Sequence, residues 1–281
     1  MGQPKSSLTD PPTDLKEAVD WIMWFGGHGN TNLGYGKHSE LANAVDKLVS
    51  WSDLKLQLGI QVYISGLIKG LSDRVRDFLG YYSNTQFNNN GIAQHGYQSV
   101  YRDLQWSDGG DNLKECAKVF LAVASMVFYG LSFSYLKCQM THVGGWGTEM
   151  LNVVNNSGLG RFMKDMGFDP SRELRDVKGS KVVTILDSEG VHNFEELKTA
   201  YGSSISIYSN FIESLVQQQQ SNALDYPLTN CHKIATHYFQ TQFKNGEPLD
   251  TTLTAIKQAF QKFNESCKIT IVICMTKLTK F

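Results

Sequence analysis

An uncharged apolar run constrains this chain more than any other feature of its sequence. Between Lys118 and Lys137, residues 119–136 contain no Asp, Glu, Lys or Arg. As a helix they would be about 27 Å long, close to the roughly 30 Å thickness of a bilayer's hydrocarbon core. Six Ser, Tyr and Gly residues interrupt the aliphatic side chains. The run predicts either a buried core helix, which these interruptions favour, or a membrane-spanning helix.

Composition predicts a folded protein and excludes some partners. The chain has 281 residues, 41% of them hydrophobic, which is enough for a packed core. Twenty-six basic and 27 acidic residues give a net charge of -1, with no dense block of Lys or Arg. We therefore expect no nucleic-acid partner. The first 12 residues lack the basic start and apolar stretch of a secretory signal peptide.

Apolar residues recur at helical spacing through most of the chain. The first helix follows Thr13 and Asp14, either of which can cap it, with Glu17 placed for a capping box. The fold class is therefore mainly α, a multi-helix bundle with long Asn/Gly-rich loops and at most a small β element. Besides the apolar run, helices are predicted at about 14–25, 39–49, 60–78, 159–166, 194–220, 227–243 and 249–263.

Two segments do not follow the helical pattern. Residues 80–112 are rich in Asn, Gly, Gln, Ser and Tyr, which predicts a long surface excursion with a short helix at 97–104. The run at 181–186, which contains four β-branched residues and is bounded by Gly179 and Gly190, predicts a short strand or hairpin arm. The five tryptophans are expected in the core, with Trp106 and Trp146 the most exposed of them because they lie beside glycine-rich loops.

These patterns divide the chain into five parts. They are a polar N-terminal tail (1–10), an N-terminal helical region with a long loop (11–110), a central apolar helix with a loop and short β region (111–193), a C-terminal helical hairpin (194–266) and an atypical tail (267–281).

The sequence contains little that indicates catalysis. The glycine cluster at 26–36 lacks a preceding strand and a phosphate-binding motif, so a helix-ending loop explains it better. Cys231, His232 and His237 are not expected to form a metal site, because the two histidines are five residues apart rather than the four that align them on a helix face. We therefore predict no catalytic residues, no metal site and no cofactor, and a protein that is not an enzyme.

The cysteines and two glycosylation triplets are candidate sites of covalent modification. Cys116 and Cys138 lie at opposite ends of the apolar helix, roughly 33 Å apart, so they cannot bridge each other. Each is either paired with a C-terminal cysteine such as Cys231 or Cys267, or a buried thiol. Asn155 and Asn264 begin Asn-X-Ser triplets and are candidate glycan acceptors.

Several blocks of residues resemble one protein family in the same order. They are PPTDLKEAVDWI at 11–22, CAKVFL at 116–121, YGLSF at 129–133 followed by Tyr135, GLGRFM at 158–163 with MGF at 166–168, and YPLT at 226–229 with IA at 234–235. These blocks resemble the variant erythrocyte surface antigens of Babesia piroplasms. The resemblance covers about residues 8–266.

The resemblance implies a non-enzymatic antigen at the surface or membrane of the infected erythrocyte. It implies roles in antigenic variation and in adhesion to host endothelium. The implied partners are a host endothelial receptor, a second antigen subunit and host antibodies. We expect the variable surface in the loops at 80–112 and 152–157, because loops can change while helical faces keep the fold.

The chain also departs from the family pattern, which implies longer proteins that end in a membrane-spanning helix. The last apolar stretch, 269–275, is far shorter than the roughly 20 residues a span needs. We therefore expect a truncated member, and residues 268–281 are hypothesised to derive from intron or shifted-frame sequence. The alternative is a soluble relative in the parasite or host-cell cytoplasm, or a recombination donor without adhesive function.

Overall fold

The computed structural model describes residues 4–25, 36–48, 64–83, 86–87, 90–101, 104, 112–141, 145–155 and 157–188, with the single residues 234, 254 and 258. This part of the chain is mainly helical, as predicted. Its helices are α1 (Leu15–Phe25), α2 (Gly36–Leu48), α3 (Ile64–Leu79), α4 (Leu113–Gln139), α5 (Gly158–Asp165), α6 (Pro170–Glu173) and α7 (Gly179–Ser188). Two short strands, β1 (Tyr81–Ser83) and β2 (Gln86–Phe87), form an antiparallel pair.

Helix α4 contains the uncharged run and lies at the centre of the described fold. Helices α1, α2 and α7 pack against it, and α3 packs on α1 and α2. By length and composition α4 is the one helix in the described ranges that could cross a membrane, and its most apolar window is entirely buried inside the fold. The structure therefore shows α4 in the position predicted for a core helix.

Several polar groups on α4 are satisfied locally, although the buried Ser132 hydroxyl has no hydrogen-bond partner among the described residues. The Ser134 hydroxyl donates to the Gly130 carbonyl one turn earlier at 2.8 Å. At the two ends, Lys118 pairs with Glu115 at 2.9 Å, and the Lys137 ammonium lies 5.5 Å from the centre of the Trp146 ring. These contacts let α4 remain surrounded by protein along its whole apolar length.

The predicted capping residues do begin α1. The Glu17 N–H donates to Asp14 Oδ1 at 2.9 Å, so Asp14 is the cap. The Glu17 carboxylate in turn accepts from the Thr13 N–H at 2.8 Å and from the Thr13 hydroxyl at 2.9 Å. This reciprocal pattern resembles a capping box, shifted by one residue at its outer end.

The predicted strand at 181–186 is wrong, because these residues belong to helix α7. Val182, Ile185 and Leu186 are buried, whereas Lys181 and Thr184 are exposed. A strand with one buried face would bury alternate residues and would place 184 beside 182 and 186. The observed burial instead follows the helical spacing i, i+3, i+4, which directs one face of α7 onto α4.

The predicted surface excursion at 80–112 is also wrong for much of the part that is described. Ile92, Ala93, Tyr97, Tyr101 and Leu104 are buried in the core. The backbone of this segment bonds to the end of α3, with the Ile92 N–H donating to the Phe78 carbonyl at 3.0 Å, and to residues 173–175. Residues 97–101 form no helix. The Gln98 carbonyl and the Val100 N–H of this segment bond to Lys16 and Asp20 of α1 instead.

Trp146 is fully buried rather than exposed. Its ring packs between Phe133 of α4 and Phe162 of α5, with ring centroids 5.5 and 5.2 Å away. Trp21 and Trp24 are buried, as expected. Trp51 and Trp106 lie outside the described residues.

Residues 4–12, part of which was predicted as a polar tail, pack on the fold. Leu8 is fully buried, and its carbonyl accepts from the Trp21 indole at 2.9 Å. The Tyr101 hydroxyl donates to the Asp10 carbonyl, also at 2.9 Å. The predicted C-terminal helices lie outside the described residues, apart from positions 234, 254 and 258, which are helical.

Candidate functional site

Helix α1 carries three charged side chains into the protein interior. Lys16, Glu17 and Asp20 are 5%, 7% and 0% exposed, respectively. Lys16 and Asp20 are four residues apart and form an ion pair, with 3.3 Å between Nζ and Oδ2. Buried charges are stable only when they are paired and hydrogen-bonded, so the surroundings of this pair determine what it does.

Asp20 is the centre of a buried polar network. Its Oδ1 accepts from the Tyr97 hydroxyl at 2.7 Å, and its Oδ2 accepts from the Val100 N–H at 3.2 Å. Burial raises the pKa of Asp20 from its usual 3.8 to about 6, although Lys16 and these hydrogen bonds oppose the rise. Burial, and secondarily the charge of Asp20, raise the pKa of Tyr97 well above its usual 10, so its hydroxyl remains a donor.

Lys16 joins three parts of the chain. Its ammonium donates to the Gln98 carbonyl at 2.6 Å and lies 3.7 Å from the Glu173 carboxylate of α6. It also lies 4.9 Å from the centre of the Tyr97 ring. The network of Lys16, Asp20, Tyr97 and Glu173, here called the buried polar network, therefore ties α1 to residues 97–100 and to α6.

An open cleft of about 820 Å³ lies on the outer side of this network. Its lining comes from the N-terminal segment at Pro4, from residues 98–100, from the loop residues 154–155 and from the stretch that joins α5 to α6. Lys16 and Glu173 line its inner part. The volume lies within the roughly 300–1,000 Å³ range of small-molecule sites.

Two short helices set the outer wall of the cleft. Helix α5 ends at Asp165, and Gly167 follows with φ of 92°, a left-handed conformation that favours glycine. Pro170 then occupies the first turn of α6, where its missing N–H leaves no unmet donor. This sharp turn places Lys164, Asp169 and Arg172 around the cleft.

The cleft lining is mixed in charge. Asp169 is ionised, because hydrogen bonding from the Ser171 hydroxyl, with smaller contributions from Arg172, holds its pKa below the usual value. The Arg172 guanidinium lies 3.6 Å from Asp169 and 3.4 Å from Glu173. Lys164 is exposed. The lining thus contains three cationic side chains and two carboxylates.

The candidate glycan acceptor Asn155 is exposed at the cleft rim. The serine of its triplet, Ser157, has another role, because its hydroxyl accepts from the Gly160 N–H at 3.0 Å and caps α5. Ser157 also bonds to Glu149 Oε2 at 3.1 Å. Glycosylation of Asn155 stays a prediction, and Asn264 lies outside the described residues.

The two described cysteines, Cys116 and Cys138, do not line the cleft. Cys116 and Cys138 are buried near opposite ends of α4 and do not bridge each other. Burial raises the pKa of the Cys116 thiol to about 11 and raises that of Cys138 further, so neither is a ready nucleophile. Cys231, Cys267, His232 and His237 lie outside the described residues.

The sequence did not reveal the buried polar network or the cleft. Lys16 and Asp20 show only the i, i+4 spacing that is also typical of a solvated ion pair on a helix surface. Their partners Tyr97 and Glu173 are distant in sequence, and nothing local marks them. Searches against protein-family models, curated proteins and solved structures find no match to this chain.

Proposed function

We propose that this chain is a non-enzymatic variant surface antigen of Babesia-infected erythrocytes, with roles in antigenic variation and host-cell adhesion. Under this proposal it acts by binding, and its partners are a host endothelial receptor and host antibodies. The proposal begins from the resemblance of five sequence blocks to that family. One structural observation supports it most strongly.

That observation is the position of the family-like blocks within the fold. The block at 11–22 contains the start of α1, in which every residue is buried. The blocks at 116–121 and 129–133 lie in the buried part of α4, and those at 158–163 and 166–168 form α5 and its closing turn. Within the described part of the chain, the residues that carry the resemblance are thus mainly residues that build the core, and the block at 226–229 lies outside it.

A loop between two of these blocks is available to vary. In residues 152–155, Val153 is 42% exposed and Asn155 is also exposed. The loop is anchored before it by buried Leu151 and after it by the Ser157 cap. A core that stays constant and a loop that can change are what a variable antigen requires.

The charged groups described also support a binding role. The buried polar network holds elements of the fold together, because each of its members bonds to another element. By contrast, loop residues Val154 and Asn155 line the same cleft as charged side chains such as Lys164 and Arg172. Changes in the loop would therefore alter the surface that a partner meets.

The test replaces residues 152–155 by Gly-Ser-Gly-Ser in the purified full chain. We expect unchanged helical circular dichroism and a large loss of binding by strain-specific immune serum. The matched control replaces exposed Ser180, Lys181 and Thr184 of α7 by alanine, and it should keep most serum binding. Equal serum binding by the loop variant and the unaltered protein would contradict the proposal that this loop is antigenic.

A further inference from the structure

The first six residues match a motif for fatty acylation. The sequence begins MGQPKS at 1–6. N-myristoylation takes place on a glycine that follows the initiator Met and precedes a Ser or Thr by four residues. Gly2 and Ser6 occupy these two positions. The motif therefore points to one atom, the α-amino nitrogen that Gly2 exposes once Met1 is removed by hydrolysis.

Ser6 also has a role in the fold, but that role does not account for Gly2. The Ser6 N–H and hydroxyl donate to Asp10 Oδ2 at 2.9 and 2.8 Å. This turn explains a small hydroxyl residue at position 6 of the folded chain. It begins after Gly2, however, and gives no reason for a glycine there. An acyl transferase acts on the emerging chain before the turn closes, so the two uses of Ser6 do not compete.

The fold determines where an acyl chain on Gly2 would leave the protein. The Lys5 N–H donates to the Val100 carbonyl at 3.0 Å, and Leu8 is fully buried, so the chain is fixed to the fold from Lys5 onward. Pro4, just before it, is exposed. Gly2 precedes Lys5 by three residues, a reach of at most about 11 Å. The acyl chain would thus emerge beside Pro4, and the packing of residues 5–12 would be kept.

The charges near this exit offer little further attraction to a membrane. The Lys5 ammonium is paired with the Glu17 carboxylate at 2.9 Å. The whole sequence has a net charge of -1 and no dense block of Lys or Arg. Cys116 and Cys138, the cysteines in the described ranges, are buried and so not open to a second acyl chain. One myristoyl chain without a second signal gives marginal, reversible membrane binding, with an association constant of about 10⁴ M⁻¹.

We propose that Gly2 is N-myristoylated and that the acyl chain holds this protein reversibly at a lipid surface. The Gly2 nitrogen attacks the thioester carbonyl of an acyl coenzyme A. An amide C–N bond forms, the C–S bond breaks, and the thiol leaves with a proton from the amine. This inference goes beyond the proposed function and does not rest on it, because acylation is read at the N-terminus whether or not the chain is displayed.

The first experiment expresses the full chain from Met1, with a C-terminal affinity tag, in cultured eukaryotic cells fed an alkynyl analogue of myristate. We expect the unaltered chain to take up the label and Gly2→Ala to lose it. The matched control is Gln3→Ala, which keeps both motif residues and should keep the label. The label should resist hydroxylamine, which cleaves thioesters but not amides. Circular dichroism should show both variants as helical as the unaltered chain, because the changes precede the described fold.

Three outcomes of this experiment would overturn the proposal. They are absence of label from the unaltered chain, label retained by Gly2→Ala, and label released by hydroxylamine, which would place it on a cysteine. In the native chain, the N-terminal peptide read by mass spectrometry should begin at Gly2 and carry one myristoyl group. A peptide that starts upstream of Met1, retains Met1 or carries a free or acetylated Gly2 would also overturn it.

The second experiment measures sedimentation of the acylated and unacylated full chains with vesicles of phosphatidylcholine, alone or with phosphatidylserine. The acylated chain should bind both kinds of vesicle with an association constant of about 10⁴ M⁻¹, and the unacylated chain at least about tenfold more weakly. Equal binding of the two chains would overturn the membrane role. Binding more than tenfold stronger with phosphatidylserine would reveal a basic second signal and overturn the single-anchor assignment.

Discussion

Substitution of Asp20 by alanine tests the buried polar network. Asp20 is fully buried and accepts hydrogen bonds from Tyr97 and from the Val100 N–H, in addition to its pair with Lys16. Asp20→Ala leaves the buried Tyr97 hydroxyl without its acceptor, which costs about 1–3 kcal/mol, and also the part-buried Val100 N–H, which costs less because water can reach it. It also leaves the buried Lys16 with a single carboxylate, Glu173, 3.7 Å away.

One term opposes this loss. Asp20 is ionised at pH 7, although burial raises its pKa from 3.8 to about 6, a difference worth about 3 kcal/mol. Removal of the carboxylate relieves this cost. Breaking one side of a buried ion pair typically destabilises by about 3–5 kcal/mol, and we expect about 3 kcal/mol here. That is a large share of the roughly 5–15 kcal/mol that stabilises a typical domain.

The assay is urea denaturation of the purified full chain, followed by circular dichroism at pH 7. The control is Asp176→Ala, which removes an exposed carboxylate and should change the free energy of unfolding by less than about 0.5 kcal/mol. Tyr97→Phe, which removes only one donor to Asp20, should cost about 1.5–3 kcal/mol. If Asp20→Ala is as harmless as Asp176→Ala, the reasoning is refuted, because Asp20 would then be solvated rather than buried in the network.

Three further predictions address the same fold. The folded protein binds the Asp20 proton more tightly than the unfolded chain does, because the pKa of Asp20 is raised from 3.8 to about 6 on folding. The stabilisation that comes from this protonation is present in full below about pH 4 and is lost as the pH rises through 6. The stability of the unaltered chain relative to Asp20→Asn should therefore be about 2 kcal/mol greater at pH 4.5 than at pH 7, and a pH-independent difference in urea denaturation would contradict this. Thr184 lies on the exposed face of α7, and Thr184→Ala should raise the free energy of unfolding by a few tenths of a kcal/mol because alanine favours helices. A lower free energy of unfolding would indicate a strand. Replacing residues 80–112 by a short linker should greatly lower the thermal unfolding temperature, because Ile92, Tyr97 and Tyr101 are buried; an unchanged temperature would restore the surface-loop interpretation.

The elements that were predictable from sequence are those set by local interactions. Helix α1 begins at a cap made by neighbours in the chain, and its end at Phe25 matches the predicted one. Helix α5 matches in the same way, because its Ser157 cap and the Gly167 turn are both local signals. The apolar run predicted a central helix, and α4 extends beyond it at both ends.

The errors have a common physical cause, which is that tertiary contacts outweighed local composition. Residues 182–185 are β-branched and favour strands, but a helix places one face of this segment against α4. The segment at 97–101 has loop-like composition, yet its two tyrosines are buried, and their hydroxyls donate hydrogen bonds to Asp20 and to the Asp10 carbonyl. Trp146 was expected at the surface because glycines flank it, but it fills the space between α4 and α5.

The candidate cleft could not be predicted for a related reason. Its wall combines Lys164 and Arg172 with residues from the N-terminal segment, the 98–100 segment and the 154–155 loop. No two of these segments follow each other directly in the chain, so no spacing rule connects them. Only the folded arrangement shows that two cations and several amides and hydroxyls share one surface.

Display on the infected cell is the central claim of the proposed function, and protease shaving tests it most directly. Intact infected red cells are treated with trypsin, and the chain is then detected with an antibody against residues 194–263, with an internal parasite protein as the lysis control. The proposal predicts loss of the signal while the internal protein stays intact. Full protection of the chain until the cells are lysed would contradict display and adhesion by this protein.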